Sequence, residues 1–297
     1  MKHIADWTVS ENKRLSADFC LLKVRLNDEL PEIVPGQFVQ ILVPNAPNTL
    51  LRRPISVHFV DYDTHELWLL VQLVGAGTKK LSELKVGEQL NIVFPLGNGF
   101  SLPSAPSSRG GGEAITPPLE AGGGGRLLLI GGGAGTAPLL YLGKQLKELG
   151  HQPLFLLGGR TVNHLLQLAE FEKYGEVHTT TEDGSHGEKG FVTNHTILQT
   201  FAISSQRGVM STGTPAACSG DTPSTIAQIY VCGPKPMMQA VAKYAKQHTI
   251  PCEVSLENKM ACGIGACLCC VEKTTYGNIC VCTAGPVFNI NQLTWQI

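Results

Sequence analysis

The sequence predicts a multidomain β plus α/β protein: an antiparallel β-barrel, then a parallel-sheet α/β domain, then a small C-terminal cysteine-rich unit. Three observations carry this. Short apolar runs, several with period two, fill residues 1–100. From Arg126 onward, strand-like runs alternate with helical patterns. Six cysteines crowd the stretch from Cys262 to Cys282.

The first unit, 1–100, contains Phe19–Val24, Gln37–Val43 and Glu66–Val71, separated by turn residues such as Pro35-Gly36 and Val86-Gly87-Glu88. Alternation of apolar and polar residues between turns is the pattern of half-buried antiparallel strands. Residues 101–125 are rich in Ser, Pro and Gly. Such composition buries little and predicts a flexible connection, so a domain boundary falls here. The second unit, 126–250, runs from Leu127–Ile130 through a helical stretch at Leu139–Leu149, a strand-like Pro153–Leu157, and Ile229–Cys232 before a helix-like Pro236–Gln247. Strands alternating with helices imply a parallel sheet. Residues 203–226 read as a loose insertion in it, and 251–297 form the last unit.

At about 100–200 residues per domain, 297 residues suffice for two domains and an appendage. A formal net charge of -1 gives no reason to expect nucleic acid or an anionic membrane as partner. The start, Met1–Trp7, has no apolar core of a signal peptide. The most apolar stretch, Leu127–Leu142, is interrupted by four glycines and is too short to span a bilayer. The expectation is a soluble, cytoplasmic chain.

Cys262, Cys267 and Cys270 have the spacing C-x4-C-x2-C, and Cys282 follows. This is the plant-type [2Fe–2S] spacing. Four thiolates must converge on two irons, and Gly263, Gly265 and Ala266 supply a slim loop whose amides are free to bond sulfur. Zinc is the alternative, but its sites usually pair two C-x2-C knuckles, and the second is missing. Cys269 and Cys280 fit the spacing less well and are expected to be buried thiols near the cluster, or spare ligands.

Gly133-x-Gly135-x-x-Pro138 follows the strand-like Leu128–Ile130 and resembles a dinucleotide fingerprint with proline in the last place. Glycines admit a pyrophosphate, and Pro138 suits a helix start that favours an anion. Tight strand–helix turns use glycine anyway, so this loop alone is weak. Cys232-Gly233-Pro234, at the end of a later strand, adds a second turn that can face the same dinucleotide. No acidic residue stands out for a ribose 2′-hydroxyl, and Arg160 can meet a phosphate, so NAD and NADP both remain open.

Arg52-Arg53-Pro54-Ile55-Ser56 and Gly75-Ala76-Gly77-Thr78 form a third signal. An arginine and a serine on a strand edge can hold a flavin's phosphate and ring edge, and Gly77 and Thr78 can bond a pyrophosphate. An edge strand with solvated arginines explains the same residues.

Barrel with Arg-Pro-x-Ser, Gly-x-Gly-x-x-Pro, Cys-Gly-Pro and C-x4-C-x2-C…C, in that order, resembles the ferredoxin–NADP reductase superfamily. Within it, Lys259–Cys267 and Val281–Phe288 resemble the electron-transfer subunits of B-type, NAD-dependent dihydroorotate dehydrogenases. The resemblance covers nearly the whole chain except 101–125 and 203–226. It implies that Arg53, Pro54, Ile55 and Ser56 hold FAD, that Leu70, Val71 and Gln72 lie along the flavin, and that Gly77 and Thr78 meet its pyrophosphate. It implies Cys262, Cys267, Cys270 and Cys282 as [2Fe–2S] ligands. It further implies NAD as co-substrate and an FMN-containing partner that oxidises dihydroorotate, two copies of each subunit forming a heterotetramer in pyrimidine biosynthesis. No Ser/His/Asp or paired-carboxylate constellation stands out, and His58, His65, His151 and His164 are expected to be surface or structural residues. The rivals are a bifurcating or sulfide-linked NADPH:ferredoxin reductase subunit and a zinc-stabilised binding module.

Overall fold

A computed structural model of the chain describes residues 1–103, 125–207, 225–295 and 297. The central parts of both expected insertions, 104–124 and 208–224, lie outside the described residues.

Strands β1 (His3–Arg14), β2 (Phe19–Arg25), β3 (Phe38–Ile41), β4 (Arg53–Asp61), β5 (Glu66–Gln72) and β6 (Gln89–Leu96) close into a barrel of order β1-β2-β5-β4-β3-β6, every pair antiparallel. A short helix, α1 (Ala76–Leu81), follows β5. The expected period-two alternation is realised: Trp7 and Val9, Leu22 and Val24, Val39 and Ile41, Leu67, Leu69 and Val71 all point into one apolar core. Trp7 meets Phe94 edge to face at 4.7 Å within it.

The second sheet has the order β10-β9-β8-β7-β11-β12-β15. Its parallel strands are β7 (Arg126–Gly132), β8 (Pro153–Gly159), β9 (Glu176–Thr181), β10 (Glu188–Lys189), β11 (Ile226–Cys232) and β12 (Cys252–Ser255). Leu127–Ile130 and Leu154–Leu157 are buried throughout, as strands covered on both faces must be. Helices α2 (Ala137–Glu148), α3 (Leu168–Glu172), α4 (Thr196–Arg207) and α5 (Lys235–Gln247) cover the sheet. In α5, Met238, Val241, Ala242 and Ala245 are buried at the i, i+3, i+4, i+7 spacing of one helix face. Helix α4 carries regular structure to Arg207, five residues into the stretch expected to be loose from 203.

The stretch expected as a separate terminal unit lends two strands to this sheet. One is β12; the other is β15 (Val287–Asn289), which pairs antiparallel with β12 at the edge. Between them lie the cysteine loop, the hairpin β13 (Val271–Thr274) and β14 (Gly277–Cys280), and α6 (Val281–Ala284). Cys270, Val281 and Cys282 share an apolar cluster with Phe38 and Leu96 of the barrel and Val254 of the sheet. The cysteine unit therefore packs against both larger units. Ser101, at the head of the expected linker, is held in place: its amide and hydroxyl donate to Glu253, and its carbonyl accepts from the Tyr230 hydroxyl.

Candidate functional site

Three neighbourhoods adjoin the barrel. The first joins Arg53, at the start of β4, to Gly77 in α1. A Cβ at Gly77 would stand 2.6 Å from Arg53 Nε, so the bare backbone there lies on the guanidinium. The two segments that the sequence offered separately thus form one surface. Thr78 fixes the turn, its hydroxyl donating to the Gly75 carbonyl at 3.1 Å and accepting from the Gly75 amide at 3.2 Å. Pro54, Ile55 and Ser56 continue β4 and pair with Gln40, Val39 and Phe38 of β3. Arg52 is used differently: its guanidinium donates to the carbonyl and side chain of Asn91 on β6, which ties down the barrel edge.

The second neighbourhood lies at the carboxyl ends of β7, β8, β9 and β11, where open parallel sheets bind ligands. Gly133 and Gly135 form a 3₁₀ turn leading into α2, with Pro138 in that helix's first turn. A Cβ at Gly135 would come within 2.4 Å of both the Cys232 carbonyl oxygen and Gly233 Cα. The fingerprint loop and Cys232-Gly233-Pro234 therefore abut, and only glycine permits it. Beside them opens a cavity of about 600 Å3, lined by Gln72, Gly133, Arg160, Glu182, Pro234 and Glu257 among others. Gln72 ends the barrel strand β5, and Leu70 packs with Ala137 and Ala134 of the glycine loop, so barrel and sheet build this cavity together. Leu70 is buried at this seam, whereas Val71 is buried in the barrel core.

The electrostatics of the cavity are mixed. Arg160 Nη2 lies 3.2 Å from His164 Nε2. Burial pushes the Cys232 thiol well up, so Cys232 is a neutral thiol rather than a nucleophile. Glu182 and Glu257 were not singled out from the sequence. The signal that would have found them is positional: each follows the carboxyl end of a parallel strand, β9 or β12.

The third neighbourhood is the cysteine centre. The Gly265 amide donates to Cys282 Sγ at 3.1 Å, closing the loop over a residue far along the chain. Ile264 and Cys267 amides donate to Cys262 Sγ at 3.5 and 3.4 Å, and the Cys282 amide to Cys270 Sγ at 3.3 Å. Burial alone would raise the Cys262 thiol, but the Ile264 and Cys267 amides outweigh it and hold it down at about 6. Backbone donors aimed at sulfur suit a thiolate-bound metal group, so the residues present fit an iron–sulfur cluster. No three His, Cys, Asp or Glu side chains among the described residues converge as ligands of a single ion do. Cys270 and Cys282 are buried, while Cys267 is exposed at the loop tip. The expectation that Cys269 and Cys280 are buried needs correction: Cys269 is exposed and Cys280 half-buried. Cys269 sits next to Leu268, itself 64% exposed with φ 55°.

A flavin-type barrel, a nucleotide cavity at the carboxyl edge of a parallel sheet, and a thiolate centre beside both define an NAD-linked flavoprotein oxidoreductase with an iron–sulfur domain. Family models agree: an oxidoreductase FAD-binding domain matches residues 6–100, an oxidoreductase NAD-binding domain 129–243, and the iron–sulfur cluster binding domain of dihydroorotate dehydrogenase B 257–294. The chain is 36% identical to the dihydroorotate dehydrogenase B (NAD(+)) electron transfer subunit of Geobacillus sp. (strain WCH70), over 87% of this chain and 86% of that one. It is 31% identical to the subunit of that name from Fusobacterium nucleatum, over 96% of both. The chain belongs to the family of dihydroorotate dehydrogenase B electron transfer subunits. Among solved structures, a chain of the NADH-dependent reduced ferredoxin-NADP oxidoreductase superposes with a TM-score of 0.74 at 26% identity, covering 98% of this chain and 90% of that one. The cytochrome b5 reductase domain of Ulva prolifera nitrate reductase shares the fold, with a TM-score of 0.56 at 16% identity over 84% of this chain and 94% of that one. The FAD, NAD and iron–sulfur assignments made from the sequence hold, and the zinc-stabilised module does not. No helix among the described residues is long and apolar enough to cross a membrane.

Proposed function

We propose that the chain takes electrons from a dihydroorotate-oxidising, FMN-containing partner and delivers them to NAD+ in pyrimidine biosynthesis. The observation that carries this is the central position of the barrel. Its strand β5 reaches the dinucleotide cavity through Gln72, and its strand β3 packs on the cysteine loop, where Gln40 meets Gly263. When bound, a flavin exchanges hydride with a nicotinamide and single electrons with an iron–sulfur cluster.

The chain's own residues then have distinct tasks. Arg53, Pro54, Ile55 and Ser56 hold the flavin with Leu70, Val71 and Gln72, while Gly77 and Thr78 meet its pyrophosphate. Gly133, Gly135 and Pro138, with Cys232, Gly233 and Pro234, admit the nicotinamide dinucleotide. Cys262, Cys267, Cys270 and Cys282 hold the cluster. Ile264 and Leu268, exposed beside these cysteines, offer apolar contact to the partner. Dihydroorotate oxidation itself, which needs a base for the departing proton, belongs to the partner. We read 1–100, 126–250 and 251–297 as the FAD, NAD and cluster units, joined by 101–125 and interrupted by 203–226. Two copies of each subunit form a cytoplasmic heterotetramer.

Anaerobic addition of NADH to the purified chain tests the wiring. The visible bands of flavin and cluster should both bleach, and dihydroorotate should bleach neither. Bleaching by dihydroorotate alone would contradict the division of labour. The NADPH:ferredoxin reductase alternative has the solved oxidoreductase chain at 26% identity in its favour. It predicts instead that a ferredoxin, and not the dihydroorotate oxidase, completes the activity.

A further inference from the structure

Strand β3 turns alternate side chains in opposite directions. Val39 and Ile41 enter the barrel core, whereas Phe38 faces the cluster unit and packs in one apolar group with Cys270 and Cys282. Gln40 has the same parity as Phe38. It is 0% exposed, and neither Oε1 nor Nε2 has a hydrogen-bond partner among the described residues. Native proteins rarely leave a buried amide without partners unless something else requires it there.

The position of this amide points to the reason. A Cβ at Gly263 would stand 2.7 Å from Gln40 Cγ and 2.9 Å from Nε2, so the cysteine loop rests directly on the side chain. Gly263 has φ +70°, and any other residue there would be strained and would displace the amide. Gly263 directly follows Cys262, whose sulfur already accepts two backbone amides. The strand beneath is held in place, since the Gln40 carbonyl accepts from Arg52 Nη1 at 3.3 Å.

We propose that Gln40 is a positioning residue that donates a hydrogen bond from Nε2 to a sulfur at the Cys262 corner of the bound cluster, and so helps set the cluster's reduction potential. This rests on the cluster assignment above. Reduction adds negative charge to the sulfurs, so an N–H donor stabilises the reduced state more than the oxidised one. The donor comes from the flavin-binding barrel rather than from the cluster loop. It therefore couples the potential of the cluster to the seating of the barrel against it.

The test is redox titration of the cofactor-loaded chain, following cluster and flavin separately by their visible spectra. Gln40→Met preserves volume and removes the donor. It should retain two irons while reduction of the cluster becomes about tenfold less favourable, a fall of about 59 mV for one electron, with the flavin potential unchanged. Gln40→His, which restores an N–H, should recover most of the shift. An unshifted cluster in Gln40→Met overturns the proposal, and so does a shift confined to the flavin, which would assign the amide to that cofactor. Should Gln40→Met fail to hold iron, Gln40→Glu decides. Its cluster potential should fall more steeply with rising pH than that of the unaltered chain, and a parallel dependence overturns the proposal. An unaltered chain that binds no iron at all would overturn the cluster assignment instead.

Discussion

His58 Nδ1 lies 2.8 Å from the carbonyl oxygen of Ala137, joining barrel strand β4 to the first turn of helix α2. The ring is fully buried, and its Nε2 lies 2.8 Å from the Gln167 side chain ahead of α3. Nδ1 must donate to the carbonyl, so in the neutral ring Nε2 accepts, and the Gln167 amide presents its NH2 group. One side chain thereby fixes the barrel against the glycine loop that opens α2. Tyr141, also in α2, adds a second tie by donating to the Ile33 carbonyl at 3.0 Å.

Burial lowers the His58 pKa below its ordinary value, more than its hydrogen bond to the Ala137 carbonyl raises it. The unfolded chain therefore takes up the proton first as pH falls. Stability should be full above about pH 6.5 and decline below it until the folded-state pKa is reached. Thermal midpoints between pH 7.5 and 5 should show this decline, and Gln at position 58 should flatten it. An equal decline in both proteins would assign the acid sensitivity elsewhere.

Gly135→Ala should weaken NADH binding with little effect on iron or flavin content. The added methyl would stand 2.4 Å from the Cys232 carbonyl, and relieving such a clash costs about 1–3 kcal/mol. The two turns would separate, and the KM for NADH should rise about tenfold or more. An unchanged KM would mean that the contact between the turns does not shape the cavity.

Glu182 lines the same cavity, and its amide donates to the Gly159 carbonyl at 3.1 Å, which sets it over the end of β8. A carboxylate there accepts from ribose hydroxyls and repels a 2′-phosphate. Glu182→Gln should narrow the preference for NADH over NADPH by about tenfold, or 1.4 kcal/mol. The ratio of kcat/KM for the two nucleotides measures this, and an unaltered ratio would move the discrimination to Arg160.

Serine in place of Cys262, Cys267, Cys270 or Cys282 should abolish or severely destabilise the cluster, because a hard oxygen replaces a soft thiolate. Cys269→Ser and Cys280→Ser should keep it. Iron content and the visible spectrum report the result. Retention in Cys270→Ser with loss in Cys269→Ser would overturn the ligand set.

What was legible in the sequence was what is local. The spacing of Cys262, Cys267 and Cys270 lies within one loop, and the strand alternation within single strands. Contacts across the fold were not. Nothing near Gln40 in sequence indicates Gly263, and nothing near His58 indicates Ala137, because barrel, sheet and loop must first assemble. Glu182 carries no local signal, and only the end of β9 gives it a place at the sheet's carboxyl edge. Strand β15 is only three residues long, too short for a periodic signal, and it pairs against the direction of the rest of the sheet. The expected burial of Cys269 failed for a related reason: spacing fixes which thiols can converge but not which side of a loop the others take.

Mixing the cofactor-loaded chain with the dihydroorotate-oxidising subunit, and following NADH formation from dihydroorotate and NAD+, reads the whole electron path from partner to nicotinamide. NAD+-dependent oxidation is expected in the mixture and with neither subunit alone, and it should be lost when Cys282→Ser replaces the unaltered chain. NADH formation at the mixture's rate by this chain alone, or undiminished activity with Cys282→Ser, would contradict it.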